Sequence, residues 1–436
     1  MQTTFNTALF PVTAKITGEG HLSIGGCDLV DLATTFGTPL YIFDELTLRS
    51  KCREYRTEFG RYYPETTVAY AAKAFINKGL AEIIKDEKLW LDVVSGGELS
   101  IAENAGFPVQ NTYFHGNNKG SDELRLALRL GVGRIVVDNS FELERLDALA
   151  AEQGIKPDIL LRLTPGIDPH THQKIATGKI DSKFGFPKEM WKAALARALG
   201  SSHLQVRGLH AHIGSLISTT QPYEDTIKIL LEFAAGMRAA TGFELQELNI
   251  GGGYAIQYVS DSPAPAVKEY AVAISTCLRN ECARLGLNLP RLTIEPGRSI
   301  VGQAGVALYT VGAIKDIPGI RRYVAVDGGM ADNIRPAIYG AKYEAAVANK
   351  AAAANEARVT IAGKFCESGD ILISDIQLPP VIPGDLIAVP ACGAYCLAMA
   401  SNYNAFLKPP IVMVKDGTAR LIRRREVYAD LWKTDE

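Results

Sequence analysis

Between about residues 45 and 300, short apolar runs alternate with longer segments whose apolar positions recur at helical spacing. The runs predict strands over 67–72, 89–94, 112–115, 134–138, 158–163, 206–212, 247–250 and 291–294. Between them the helical period predicts helices over 77–86, 97–105, 122–130, 141–152, 188–199, 223–241 and 267–285. Eight strands rich in Val, Ile and Leu, joined by helical crossovers, predict a parallel (β/α)8 barrel, with a doubly wound open sheet as the competing arrangement. The residues after each strand favour the barrel. In order they are Lys73, Ser95, Gly116-Asn117-Asn118, Asn139, Thr164-Pro165-Gly166, Gly214-Ser215, Gly251-Gly252-Gly253 and Glu295-Pro296-Gly297-Arg298. Polar, glycine-rich segments at the carboxyl ends of strands are where a barrel assembles a site.

After Arg298 the texture changes to short β-like pieces over 306–311, 323–326, 359–361, 386–389 and 411–414. Turns such as Pro383-Gly384-Asp385 and Asp416-Gly417-Thr418 separate them, which predicts a second, mostly antiparallel β domain. Strand-like pieces at 22–24 and 40–43 are expected to join it. The expected organisation is an N-terminal segment 1–40, a barrel over 41–300 and a C-terminal β domain over 301–436. The alanine-rich run 349–356 reads as an exposed helical insertion without function.

Composition changes this picture little. The chain has 436 residues, 47% hydrophobic and 22% charged, with a formal net charge of −2, so no electrostatic drive toward nucleic acid or an anionic membrane is expected. No apolar stretch reaches the length of a membrane span. The opening MQTTFNTALFPVTAK lacks the basic and apolar regions of a signal peptide. The seven cysteines are odd in number and scattered, without a CxxC pair, which argues against disulfides or zinc and fits a reducing cytoplasm.

Several residues are candidates for chemistry. Lys73 closes the run Val68-Ala69-Tyr70-Ala71-Ala72; desolvation there lowers an amine's pKa and frees it to form a Schiff base, although a lysine at a strand end is also an ordinary surface feature. Asp92 can balance that amine or cap the next loop. His210 and His212 alternate onto one face, where imidazoles can be metal ligands, satisfied core groups, or, for His212, a ring stacked on a flat cofactor. Gly251-Gly252-Gly253 can offer backbone N–H groups to a phosphate or make a tight turn. The spacing is not that of a dinucleotide fingerprint. Glu295 at the barrel mouth can keep a pyridinium protonated, and Arg298 can bind phosphate or carboxylate, or the two can form a salt bridge. Cys366 stands in a polar turn, Cys366-Glu367-Ser368-Gly369-Asp370, whose acidic residues favour a protonated thiol able to donate a proton. Arg335, Tyr339 and Tyr395 complete the polar set, each of which taken alone reads as a surface or packing residue.

Taken together, the motifs AYAAKA, SGGEL, FHGNNK, DSKFGF, HAHIGS, GGG, EPGR, DGGM with IRPAIYG, CESGD and GAY occur in one order over roughly residues 38–415. This series resembles the decarboxylase branch of the pyridoxal-5′-phosphate (PLP) enzymes with an alanine-racemase-like barrel. Within it, CESGD is most similar to the diaminopimelate decarboxylases. The resemblance implies that Lys73 carries PLP as a Schiff base, that His212 stacks on the ring and that Glu295 contacts its nitrogen. Ser215, Gly251, Gly252, Gly253, Pro296, Gly297, Arg298 and Tyr395 would hold the cofactor, chiefly at its phosphate. Arg298, Arg335, Tyr339, Glu367 and Tyr395 would bind substrate, and Cys366 would protonate the carbanion. It further implies conversion of meso-2,6-diaminopimelate to L-lysine and CO2, the last step of lysine biosynthesis, by a homodimer in which Cys366 and Glu367 serve the other subunit's site.

Three rivals stand beside this. One is a decarboxylase for ornithine, arginine or carboxynorspermidine, against which Glu367 and the IRPAIY segment argue. Another is an alanine racemase, which Glu295 disfavours. The third is an inactive PLP-binding regulatory relative, against which Lys73 and Cys366 argue.

Overall fold

A computed structural model describes residues 6–168 and 181–436; residues 1–5 of the expected N-terminal segment and 169–180 of the expected barrel lie outside the described residues. The chain divides into two compact units. One comprises Met1–Lys51, Ile256–Pro263 and Arg298–Glu436, the other Cys52–Ala255 and Ala264–Gly297.

The second unit is the barrel. Its strands are β1 (Thr66–Ala71), β2 (Trp90–Val93), β3 (Thr112–Phe114), β4 (Arg134–Val137), β5 (Asp158–Arg162), β6 (Gln205–His210), β7 (Glu247–Asn249) and β8 (Arg291–Ile294). All pair in parallel, and β8 returns to β1 through Leu292↔Thr66 and Ile294↔Val68, which closes the sheet and excludes the open alternative. The seven predicted crossover helices are present with ends shifted by up to three residues. Local chemistry starts and stops them. Asn77, Ser95 and Asn139 each accept the third helical N–H through their side chains. Left-handed glycines such as Gly154 and Gly286 end helices. Helix Lys78–Asp86 buries Leu80, Ile83 and Ile84, each contributing about 1.5–3 kcal/mol of transfer free energy.

The two-residue period of the strands fills the barrel in layers. Ala69, Tyr113, Val136 and Leu160 make an apolar cluster. A buried polar network includes Tyr113 as well: its hydroxyl donates to Glu247 Oε1 at 2.5 Å, and Arg134 donates to Glu247 Oε2 at 2.9 Å. Two residues further along their strands than Tyr113 and Leu160 come His115 and Arg162, and two further than Glu247 comes Asn249.

The first unit is built on a nine-stranded sheet. Its central strand, Gly305–Ile317, pairs antiparallel with Leu40–Asp44 and Leu386–Val389 through its first half, and from Val311 onward with Arg321–Val326, in a ladder that carries a register shift between Val311 and Ile314. One strand thus serves two neighbourhoods along its length, so it outruns the predicted 306–311. The sheet is mostly antiparallel, with Ile411–Lys415 parallel to Leu40–Asp44 and Ala357–Ala362 parallel to Arg321–Val326. The piece Leu22–Ile24 belongs to a separate three-stranded sheet of the same unit.

The alanine-rich run corrects the sequence reading. It is not helical: a single 3-10 turn, Ala348–Lys350, is followed by turns, in which Ala352, Ala353 and Ala354 are exposed as expected. Ala348 and Ala351 are buried in the same apolar cluster as Leu9, Leu22 and Val306. Asn349 and Lys350 donate to Asp385 at 2.9 and 2.7 Å. Small side chains let Ala348 and Ala351 enter that cluster, a reason that composition does not display.

Candidate active site

At the carboxyl ends of the barrel strands lies a cavity of about 330 Å³. Lys73, His115, Arg162, His210, His212 and Glu295 are among its lining residues. Lys73 sits in the 3-10 turn Ala72–Ala74 that follows β1. His210 ends β6 in register with Arg162 of β5 and Asn249 of β7, so three polar side chains share one level of the barrel.

Glu295 is the centre of this cluster. Only 4% exposed, its Oε1 accepts from His115 Nε2 at 2.8 Å and from Asn249 Nδ2 at 2.7 Å, and its Oε2 faces His210 Nε2 at 3.3 Å. Burial pushes this carboxyl's pKa up, but the two imidazoles and their hydrogen bonds outweigh it and hold the pKa well below the usual range. Burial holds His210 neutral, with a pKa of about 3. Burial also lowers His212, reinforced by the positive charges of Lys73 and Arg162. A neutral His212 is consistent with its Nδ1 accepting the Gly252 N–H at 3.2 Å, which places its proton on Nε2. Asp92 is raised by burial, opposed by His115.

The glycine triplet is dictated by close approach. A Cβ on Gly252 would stand 2.0 Å from the Glu295 carbonyl oxygen, and one on Gly253 2.4 Å from that of Gly214. Sequence alone offers three amides to a phosphate; in the structure the N–H of Gly251 donates to Asn249 Oδ1 and that of Gly252 to His212.

The residues present fit PLP. An amine, a neutral flat ring and an ionised carboxylate face one cavity, and the carboxylate has lone-pair capacity beyond its three present donors. The buried Asp92 Oδ1 and His210 Nδ1 have no hydrogen-bond partner among the described residues, as befits a pocket shaped for a polar ligand. His115, His210 and Glu295 also converge closely enough to ligate an ion; here they are joined to one another by hydrogen bonds.

Ser215, Pro296 and Gly297 lie in the barrel unit, and the remaining predicted residues in the first unit. Arg298 donates to the Tyr258 hydroxyl at 2.7 Å and packs 4.6 Å above the Tyr395 ring. Arg335 lies 4.6 Å above the Tyr258 ring and donates to the Tyr343 hydroxyl. Two buried guanidinium groups are thus held by tyrosines. Tyr339 ends the short helix Arg335–Tyr339 and is partly buried. Cys366 and Glu367 are exposed. The base of their loop is pinned by Asp370, which accepts from Met330 N–H at 2.7 Å and Phe365 N–H at 2.9 Å.

His115, Arg162, Asn249, Tyr258 and Tyr343 escaped the sequence reading. The first three carried a usable signal, since each lies an even number of residues from an inward-facing neighbour on its strand. The two tyrosines carried none.

Comparison with known proteins decides the family. Residues 46–302 match the pyridoxal-dependent decarboxylase, pyridoxal binding domain. The chain is 46% identical to the diaminopimelate decarboxylase of Bacillus subtilis, over 97% of each. It is 45% identical to that of Synechocystis, over 99% of this chain and 93% of that one. The chain belongs to the diaminopimelate decarboxylase family. The structure of a diaminopimelate decarboxylase from M. jannaschii in complex with L-lysine superposes with a TM-score of 0.91 at 35% identity, over 98% of each chain. Family membership makes PLP the cofactor and the chemistry that of a carboxy-lyase.

Proposed function

We propose that this protein decarboxylates meso-2,6-diaminopimelate to L-lysine and CO2, the closing step of lysine biosynthesis. The observation that carries the reading is the buried, ionised Glu295 sharing one cavity with Lys73 and the neutral ring of His212.

Bound PLP supplies an electron sink for the pair left behind when CO2 departs. Lys73 holds the cofactor covalently through its amine. Glu295, kept anionic by His115 and His210, would hold a proton on the ring nitrogen and so deepen the sink. His212 would offer its neutral ring to the face of the cofactor. Ser215, the turn Gly251–Gly253, Gly297, Arg298 and Tyr395 would receive the phosphate end, with Pro296 among the residues around the cofactor. Substrate has two carboxylates and two ammonium groups, and only one carboxylate leaves. Arg298, Arg335, Tyr339 and Tyr395 grip the distal carboxylate, where planar guanidinium forks match its geometry, and Glu367 pairs with the distal ammonium. Cys366 donates the proton that completes lysine.

The exposed Cys366-Glu367 loop supports a homodimer in which the partner subunit's Cys366 and the partner subunit's Glu367 complete each site, and we place it in the cytoplasm. The seven cysteines are free, as a reducing compartment keeps them. Among the described residues no helix is long and apolar enough to cross a membrane.

CO2 release from meso-diaminopimelate, with ornithine and arginine alongside, tests the activity; comparable release from either rival would overturn the substrate assignment. Borohydride reduction of the holoenzyme and peptide mapping should label Lys73, and labelling of another lysine would reassign the covalent site.

A further inference from the structure

The ring-nitrogen carboxylate and the glycine turn are tied together by one side chain that has no place in the roles above. Asn249 ends β7, is fully buried, and is held in backbone register with His210 on one side and Thr293 on the other. Its Nδ2 donates to Glu295 Oε1 at 2.7 Å while its Oδ1 accepts the Gly251 N–H at 2.9 Å. A carboxylate can only accept and an N–H can only donate, so the amide has one workable orientation. Gly251 in turn has left-handed backbone, at φ +72°, and the place of its absent Cβ lies 2.7 Å from His212 Nδ1. The next amide, Gly252 N–H, donates to that same nitrogen. Glu295, Asn249, the glycine turn and His212 therefore form a continuous chain of contacts around the pocket.

We infer that Asn249 is a positioning residue that couples Glu295 to the glycine turn, so that the partner of the ring nitrogen and the cradle of the phosphate are set as one unit. The inference rests on the cofactor roles given above to Glu295 and Gly251–Gly253. Asparagine suits the task because it is a neutral side chain that donates at one end and accepts at the other over a short, stiff span. Leucine would leave both partners unsatisfied in a buried site. Aspartate would keep the acceptor for Gly251 but set a second carboxylate against Glu295.

That chemical difference supplies the test. Cofactor-free parent, Asn249→Ala, Asn249→Asp, Glu295→Gln and the Asn249→Ala/Glu295→Gln double variant are titrated with PLP by absorbance and with inorganic phosphate by calorimetry. Asn249→Ala is expected to weaken both ligands about tenfold, the worth of one buried hydrogen bond at each end. Asn249→Asp is expected to weaken PLP by at least that factor while phosphate stays within about twofold of the parent. The double variant should lose less PLP affinity than the product of the single losses, because both lesions act through one carboxylate. Should Asn249→Ala fail to fold, the isosteric Asn249→Asp carries the test. Parent-like PLP binding in Asn249→Asp, or phosphate binding weakened alike by Asp and Ala, overturns the coupling. If Glu295→Gln loses PLP affinity while the Asn249 variants do not, only the coupling falls. If Glu295→Gln also binds PLP and turns over as the parent does, the assignment of Glu295 itself falls with it.

Discussion

At the scale of single residues, the barrel mouth shows how neighbours decide charge state. Glu295 and Glu98 are both removed from water in the same unit, yet they shift in opposite directions. Glu295 meets donors on every side and stays ionised. Replacing it with Gln keeps the volume but removes the charge that holds a pyridinium proton, so PLP should still bind while kcat falls about 10²–10³-fold, equivalent to a few kcal/mol of carbanion stabilisation. An unchanged kcat would separate Glu295 from the ring nitrogen. Glu98 has a backbone N–H from Val94 and the more distant charges of Lys73 and His115 to set against its burial and the repulsion of Asp92, and burial pushes it up to about 7. A carboxyl raised in the folded state favours that state while protonated. Its contribution is fully present below the ordinary glutamate value and is lost as pH rises through 7, by about 3 kcal/mol in all. Urea unfolding of the cofactor-free protein at pH 5 and pH 8 should therefore differ less for Glu98→Gln than for the parent. Equal pH slopes would assign the titration elsewhere.

At the scale of elements, tight spots are held by specific polar anchors. Asp385, 3% exposed, accepts from Lys350, Asn349 and the Ile382 N–H, and so fastens the alanine-rich turn to the strand Leu386–Val389. Asp385→Ala leaves the Asn349, Lys350 and Ile382 donors without their common acceptor, and should cost about 1–3 kcal/mol of stability. Lys350→Ala, which removes the partly exposed partner, should cost about 1 kcal/mol or less. Denaturant midpoints check the pair; equal small losses would mean that the turn is held by its buried alanines alone. Element prediction worked best where one face of a helix or strand is apolar. It failed for 349–356 because alanine's helix propensity is weak enough to be overridden by the burial of Ala348 and Ala351 and the bonds of Asn349 and Lys350 to Asp385.

At the scale of the whole molecule, the proposed shared site makes a quantitative prediction. Lys73→Ala and Cys366→Ala homodimers should each be nearly inactive. If the two residues serve one site from different subunits, random exchange yields about half hybrids, each with both lesions in one site and one intact site. Roughly a quarter of parental activity should return on mixing after reversible dissociation. Were both residues contributed by one chain, every site would keep a lesion and mixing would restore nothing.

The order of elements, the barrel and the chemical types at its mouth were determined by the sequence alone, because period-2 strands, helical crossovers and strand-end motifs are local signals that survive without neighbours. Lys73, His212 and Glu295 were legible for that reason: each follows or ends a recognisable strand. Closure of the barrel, the split use of Gly305–Ile317, and the grouping of His115, Asn249 and Arg162 around Glu295 were decided only by tertiary structure. The pairing of Tyr258 and Tyr343 with two arginines was decided there too. These depend on which strand lies beside which, and on how far a side chain reaches across the space between them. No run of residues along one chain segment encodes that distance; it exists only once the sheet has closed and the loops have met.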